Sequence, residues 1–271
     1  MASEIFVSKE TLKRIISDVK EIRKNPLSSH GIYYEHDDTN MLKGRALIIG
    51  PSDTPYEDGF YLFRFQFPTN YPHSPPKVDF CTSDGYTRFN PNLYRTGKVC
   101  LSILNTWQGE PWSGCQTLTS VLLALCTVLN TNPLLNEPGI TKHHEDLKNY
   151  NEIIKYKNIE VAIFKMMKNV GCTRTINKVE TSSKSAAKGE DEEQEEQEEQ
   201  EEDDDNVNSI ISDFSIFGEI MNEHFQKNKE KIRKRLEDAA LIQKSLGVEH
   251  YVGVYKMTVF VDYNFLLKSI F

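Results

Sequence analysis

Between Glu190 and Asp205, 13 of the 16 side chains are acidic, set out as EEQ repeats. No apolar side chain interrupts them, so this stretch has nothing to bury against the entropy cost of ordering it. It divides the chain, and folding must come from the residues on either side. Lys178 to Asn208 is therefore expected to be disordered. A solvated spacer is its plainest role, and docking to a basic partner surface the sharper one. The partition that follows is a folded core at 1–171, an acidic low-complexity linker at 172–208, and a helical extension with an apolar tail at 209–271. Charge divides the same way. The 271 residues carry 40 acidic and 32 basic side chains, a net charge of -8. Without the tract, 27 acidic residues face 32 basic ones, so the body is mildly basic. It shows no concentrated basic stripe, and no nucleic-acid partner is expected.

The five cysteines, Cys81, Cys100, Cys115, Cys126 and Cys172, are odd in number and irregular in spacing. No CxxC pair exists, so neither a disulfide framework nor a metal site is expected. A reducing compartment suits them. No basic segment followed by an apolar run opens the chain. The most apolar stretch, Tyr251 to Phe271, holds Lys256, Asp262 and Lys268, which are costly in lipid. No membrane, metal or cofactor is expected, and the location expected is cytoplasmic or nuclear.

Ser8 is a good helix N-cap, and Leu12, Ile15, Ile16, Val19 and Ile22 follow at helical spacing until Pro26. Lys13, Arg14, Lys20 and Arg23 form the polar face. Gly31 to Glu35, Leu42 to Ile49, Phe60 to Phe67 and Lys77 to Phe80 read as strands. Short links rich in Asp, Asn, Gly and Pro join them, which predicts an antiparallel meander. Thr117 to Leu129 is an apolar run long enough for a buried helix. Glu152 to Met167 has the period of an amphipathic helix, with Gly171 as its cap. Past the acidic tract, Ser209 to Leu246 recovers helical character, with Phe214, Phe217, Ile220, Met221 and Phe225 on one side. Tyr251 to Phe271 alternates in part, as a hairpin or a strand folded back on the core would.

Cys81 to Gly114 shows no period, and long loops of this kind are often functional. Cys100 lies within it, between Val99 and Leu101. A cysteine so flanked is more often a small core residue than a nucleophile. Its chemistry nevertheless suits a carrier, because a thiol with a pKa near 8.5 is both a usable nucleophile and a good leaving group from a thioester. Asn92 is eight residues earlier. Its amide can donate to an oxyanion at an acyl centre. Next to Pro91 it is more often a turn former.

Four strings in order carry a family resemblance: Tyr71-Pro72-His73-Ser74-Pro75-Pro76-Lys77-Val78, Asn90-Pro91-Asn92, Gly97-Lys98-Val99-Cys100-Leu101 and Trp112-Ser113. Together they resemble the core of the ubiquitin-conjugating enzymes, from near Ser8 to about Val170. The resemblance implies an α+β fold, a four-stranded antiparallel meander with an N-terminal helix and further helices after it. It implies transfer of ubiquitin, or a related modifier, from an activating enzyme to the thiol of Cys100, then to a substrate lysine, usually with a ligase. Asn92 would be the oxyanion donor or the side chain that orders the loop, and Tyr94 a structural aromatic. Lys13 and Arg14 would meet the activating enzyme. His73, Trp112 and Ser113 would meet the ligase.

The chain departs from the common pattern in several places. Asn90 replaces the usual His, and Trp107 sits in a lengthened loop after Cys100. Glu137 is the one acidic residue near the place of the carboxylate that helps deprotonate the lysine. The NPN triplet, the run Leu101-Ser102-Ile103-Leu104-Asn105-Thr106-Trp107 and Asn136-Glu137-Pro138-Gly139 resemble the Z-type subgroup. Three rivals stand beside this reading: a cysteine hydrolase using Cys100, Asn92 and His143 or His144, an inactive ubiquitin-binding variant, and a scaffold working through its acidic linker and C-terminal region. Because the four strings all precede the acidic tract, thioester loading is expected to survive deletion of Lys178 to Phe271.

Overall fold

A computed structural model describes residues 7–170, 213–243 and 247–270. Gly171, Cys172 and the predicted linker at 172–208 lie outside the described residues. The first helix, α1 (Lys9–Lys24), starts where Ser8 accepts the Thr11 N–H on its Oγ at 3.0 Å. Ile15, Val19 and Ile22 are buried, whereas Ile16, expected on the same face, is 40% exposed. The place beside Ile15 is filled by polar side chains instead: Thr11 and Asp18 are buried.

Four strands follow, β1 (Ile32–His36), β2 (Lys43–Ile49), β3 (Phe60–Gln66) and β4 (Lys77–Phe80). They pair antiparallel in the order 1-2-3-4, the predicted meander. Asp37 builds the first turn by accepting both backbone and hydroxyl hydrogens of Thr39 and the N–H of Asn40. At the Ile49–Phe60 end the sheet is buried on both faces. Phe60 meets the ring of His224 at 5.9 Å, while Tyr61 donates to Asn158 and stacks near Phe80. The fold is therefore α+β.

Helix α2 (Leu118–Thr127) opens with a capping box between Thr117 and Ser120. Buried Asp18 joins it to α1: its carboxylate accepts from Arg14 Nε, Tyr71 O–H and the Leu118 N–H. Helix α3 (Asp146–Lys157) begins six residues earlier than the period suggested, and continues through a π-helical stretch (Asn158–Lys165) into α4 (Met166–Asn169). The wider turn brings buried Asn158 onto Gly59, where a Cβ would stand 1.9 Å from the amide oxygen. Asn158 also donates to the Glu57 carbonyl at 2.9 Å.

The C-terminal residues pack on this body. After Phe214 and Phe217, both fully buried, come α5 (Gly218–Gln243), a hairpin of β5 (Val248–Val252) and β6 (Met257–Val261), and α6 (Tyr263–Ile270). The apolar tail is thus a hairpin and a short helix. Helix α5 is clasped by charge to the β2–β3 turn. Lys231 and Arg235 reach Glu57 at 2.5 and 2.8 Å, and His224 reaches Asp58 at 3.0 Å. Asp213 bonds Arg45 at 2.7 Å. No helix among the described residues is long and apolar enough to cross a membrane.

Candidate active site

Residues 81–117 join β4 to α2 with almost no regular structure, and side chains hold them in place of a ladder. Asn90 is fully buried; its amide donates to Tyr56 Oη and to the Val128 carbonyl, both at 2.8 Å. Its Oδ1 accepts the Asn92 N–H at 2.9 Å. The chain then folds back on itself, with bridges between Asn90 and Leu93 and between Leu93 and Val99. Gly97 makes the return with φ +83°, and a Cβ there would stand 3.0 Å from the Phe80 carbonyl oxygen. The Phe80 N–H donates to the Gly97 carbonyl at 2.7 Å, so the fold-back is pinned to the edge of β4.

This small hairpin sets Asn92 against Cys100. The Cys100 N–H donates to the Asn92 carbonyl at 2.8 Å, and Asn92 Nδ2 donates to the Cys100 carbonyl at 2.7 Å. Eight residues apart in sequence, the two are direct neighbours here. Asn92 Oδ1 is buried and has no hydrogen-bond partner among the described residues. Beyond Cys100, which is 2% exposed, Thr106 Oγ1 accepts the Leu101 N–H and donates to the Val99 carbonyl, bracing the cysteine from its other side.

Arg88 anchors the loop from beneath. Its Nη2 donates to the Pro91 carbonyl at 2.7 Å, and its guanidinium lies 3.3 Å from the centre of the Tyr94 ring. Tyr94 is thereby a loop support. Neither the buried Arg88 nor its role was readable from sequence, since a lone arginine beside Phe89 carries no motif.

The other expected residues are dispersed. Trp112 is buried, with its indole N–H on the Pro72 carbonyl at 2.7 Å and its ring near Tyr71. His73 and Ser113 flank it and are exposed. Lys13 is exposed too. Arg14 turns inward: besides Asp18, its guanidinium donates to the Gly114 and Gln116 carbonyls, which ties α1 to the Trp112 loop. Glu137 follows the turn Pro133–Asn136 and accepts a hydrogen bond from Tyr255 O–H at 2.6 Å.

Three other thiols are described. Burial pushes Cys81 up to about 12, with Arg64 opposing, and burial also raises Cys126. Cys115 is exposed. His144 accepts the Asp146 N–H at its ring, and His143 is exposed; neither is hydrogen-bonded to Cys100 or Asn92. Among the described residues no cluster of His, Cys, Asp or Glu is arranged to hold a metal ion. A cleft of about 640 Å³ lies between α3 and the C-terminal elements, lined by Pro55, Ile159, Ala239 and Tyr263 among others, and no residue of the Cys100 loop lines it.

A family model described as ubiquitin-conjugating enzyme matches residues 14–166. The Xenopus tropicalis protein named ubiquitin-conjugating enzyme E2 Z is 47% identical over 163 residues, covering 59% of this chain and 51% of that protein. Its Homo sapiens namesake is 48% identical over 161 residues, covering 58% and 45%. A Caenorhabditis elegans protein named probable ubiquitin-conjugating enzyme protein 17 is 38% identical over 173 residues, covering 59% and 24%. This chain therefore spans about half the length, or less, of these curated relatives, and its likeness to the Z-type proteins is the one its NPN triplet suggested. With the meander, the helices around it and the family match over more than half its length, the chain belongs to the ubiquitin-conjugating enzyme family.

Proposed function

We propose that this protein accepts ubiquitin, or a ubiquitin-like modifier, from an activating enzyme as a thioester on Cys100 and passes it to a substrate lysine. The observation that carries this is the reciprocal pairing of Asn92 with Cys100 inside a fold-back closed by Gly97. A merely structural cysteine does not need a buried amide spent on fixing its main chain.

In the first step the Cys100 thiolate attacks the thioester carbonyl of the loaded activating enzyme, and that enzyme's thiolate leaves. In the second, a lysine Nζ attacks the new thioester. A C–N bond forms, the C–S bond breaks, and the Cys100 thiolate departs. Before that attack the lysine ammonium gives one proton to Glu137, and the second proton, lost as the amide forms, is taken up by the departing thiolate. Asn92 orders the loop in the resting state, because its donor already serves the Cys100 carbonyl. Donation to the tetrahedral oxyanion requires that bond to be exchanged. Lys13 is offered to the activating enzyme, with Arg14 shaping the adjoining surface. His73 and Ser113, on either side of Trp112, are offered to a ligase. The acidic segment 172–208 acts as a solvated spacer between the core, 1–171, and the extension, 209–271.

The test is a loading assay with ATP, ubiquitin and a panel of activating enzymes on non-reducing gels. A reductant-sensitive adduct is expected, absent in Cys100→Ala and converted to a reductant-stable oxyester in Cys100→Ser. No adduct from folded protein with any activating enzyme and modifier would sink the reading.

A further inference from the structure

The tip of the C-terminal hairpin reaches the active loop, 118 residues in sequence from the carboxylate it touches. Tyr255 is the last residue of the turn Gly253–Tyr255, and three of its groups are engaged. The hydroxyl donates to Glu137 Oε2 at 2.6 Å. The carbonyl accepts from Arg95 Nη2 at 3.3 Å. The ring lies 5.8 Å from that of Tyr150 and 5.5 Å from the Arg88 guanidinium, the same group that holds Pro91 and Tyr94. Neighbouring residues fix the tip. The Val254 N–H donates to Asp146, the Thr258 N–H donates to Tyr86 Oη, and the Arg88 N–H meets Met257 Sδ at 3.4 Å.

We propose that Tyr255 is a positioning residue for transfer to lysine, aiming the Glu137 carboxylate and tying it to the loop that carries Asn92 and Cys100. This rests on the reading of Glu137 as the acceptor of the lysine proton. An isolated glutamate after a turn has several rotamers, and only a fixed one holds its oxygen where an incoming ammonium must release its proton. Tyr255 selects that rotamer through Oε2, which leaves Oε1 to face the incoming amine. Burial, then the hydrogen bond and charge of Glu137, raise the phenol well above its ordinary value, so it stays a donor throughout the neutral range. Arg95 and Arg88 then relate the pair to the Asn90–Cys100 fold-back. The hairpin thus contributes to the reaction through Glu137 without touching the thioester.

The experiment is single-turnover discharge of preloaded full-length protein, comparing Tyr255→Phe, Glu137→Gln and the double variant. Two nucleophiles are used: free lysine, whose amine must lose a proton, and hydroxylamine, whose amine is already unprotonated at neutral pH. Tyr255→Phe keeps the ring on Tyr150 and Arg88 and removes only the donor. It is expected to slow discharge to lysine about tenfold, to leave loading and hydroxylamine discharge unchanged, and to add nothing in the Glu137→Gln background. Wild-type discharge to lysine, equal slowing with both nucleophiles, or additive losses in the double variant would each overturn the proposal. Wild-type discharge by Glu137→Gln alone would instead remove the underlying reading of Glu137, whatever Tyr255→Phe does.

Discussion

At the scale of single residues, the loop is a set of buried polar side chains, each with a main-chain partner. Cys100 and Asn92 could be picked out because their spacing belongs to a known string. Arg88 and Tyr255 could not, because nothing local marks a side chain whose partners lie at Pro91 and Glu137. Gly97 shows what the fold-back costs to disturb. At φ +83° an alanine is strained, and its Cβ would press on the Phe80 carbonyl. Gly97→Ala is expected to lower stability by about 1–3 kcal/mol, measured by urea unfolding, and to slow loading, since the strain falls between Asn92 and Cys100. Undiminished loading would show that the fold-back is not what presents the thiol. Asn92→Ala is expected to slow discharge to lysine more than loading, by roughly 100-fold or more if it serves the oxyanion. Equal loss in both steps would assign it to loop order alone.

Among the elements, the strands were the most legible. Their ends agree with the sequence reading to within about a residue, because Asp37, Asn40, Gly59 and the prolines before β4 punctuate them. The third helix was read short, because Tyr150 and Asp146 are buried by the C-terminal hairpin and not by anything nearby in sequence. The charge clasp between α5 and the β2–β3 turn was not visible at all, since Glu57 and Asp58 look like ordinary turn residues. Burial pushes Asp58 up, but the His224 hydrogen bond and the charges of Arg235 and Lys231 outweigh it and hold the carboxyl below its usual range. A carboxyl so depressed stabilises the fold above its unfolded-state value near 3.9 and ceases to do so as pH falls through the lower folded value. Asp58→Asn is therefore expected to lower the melting temperature at pH 7, with the gap to wild type closing below about pH 4. A gap that persists undiminished into acid would mean the clasp works through packing and not through charge.

Over the whole molecule, the acidic tract separates a part that holds every family motif from a part that holds none. The motifs all precede it, so the segment after it looked dispensable for loading. In the structure Phe214, Phe217, Met221 and Phe225 are buried, and Phe225 packs on Phe164 of the core at 5.6 Å between ring centres. Each such side chain contributes about 1.5–3 kcal/mol by leaving water, against a total margin of about 5–15 kcal/mol for a domain. Removing residues 209–271 would expose the core surfaces they cover and release Arg88 and Arg95 from the hairpin tip. The truncated chain is now expected to melt lower and to load more slowly than the intact one. Cutting is a gentler test than deletion. A protease site placed within 172–208 and cleaved after folding breaks the chain but none of the contacts described between the two parts. The fragments are expected to co-elute on size exclusion and to load Cys100 at the uncut rate, and then to lose both properties together when the smaller fragment is stripped away in urea and the larger one refolded alone. If the refolded fragment loads as well as the intact chain, the extension is an appendage, and the catalytic fold ends near Val170.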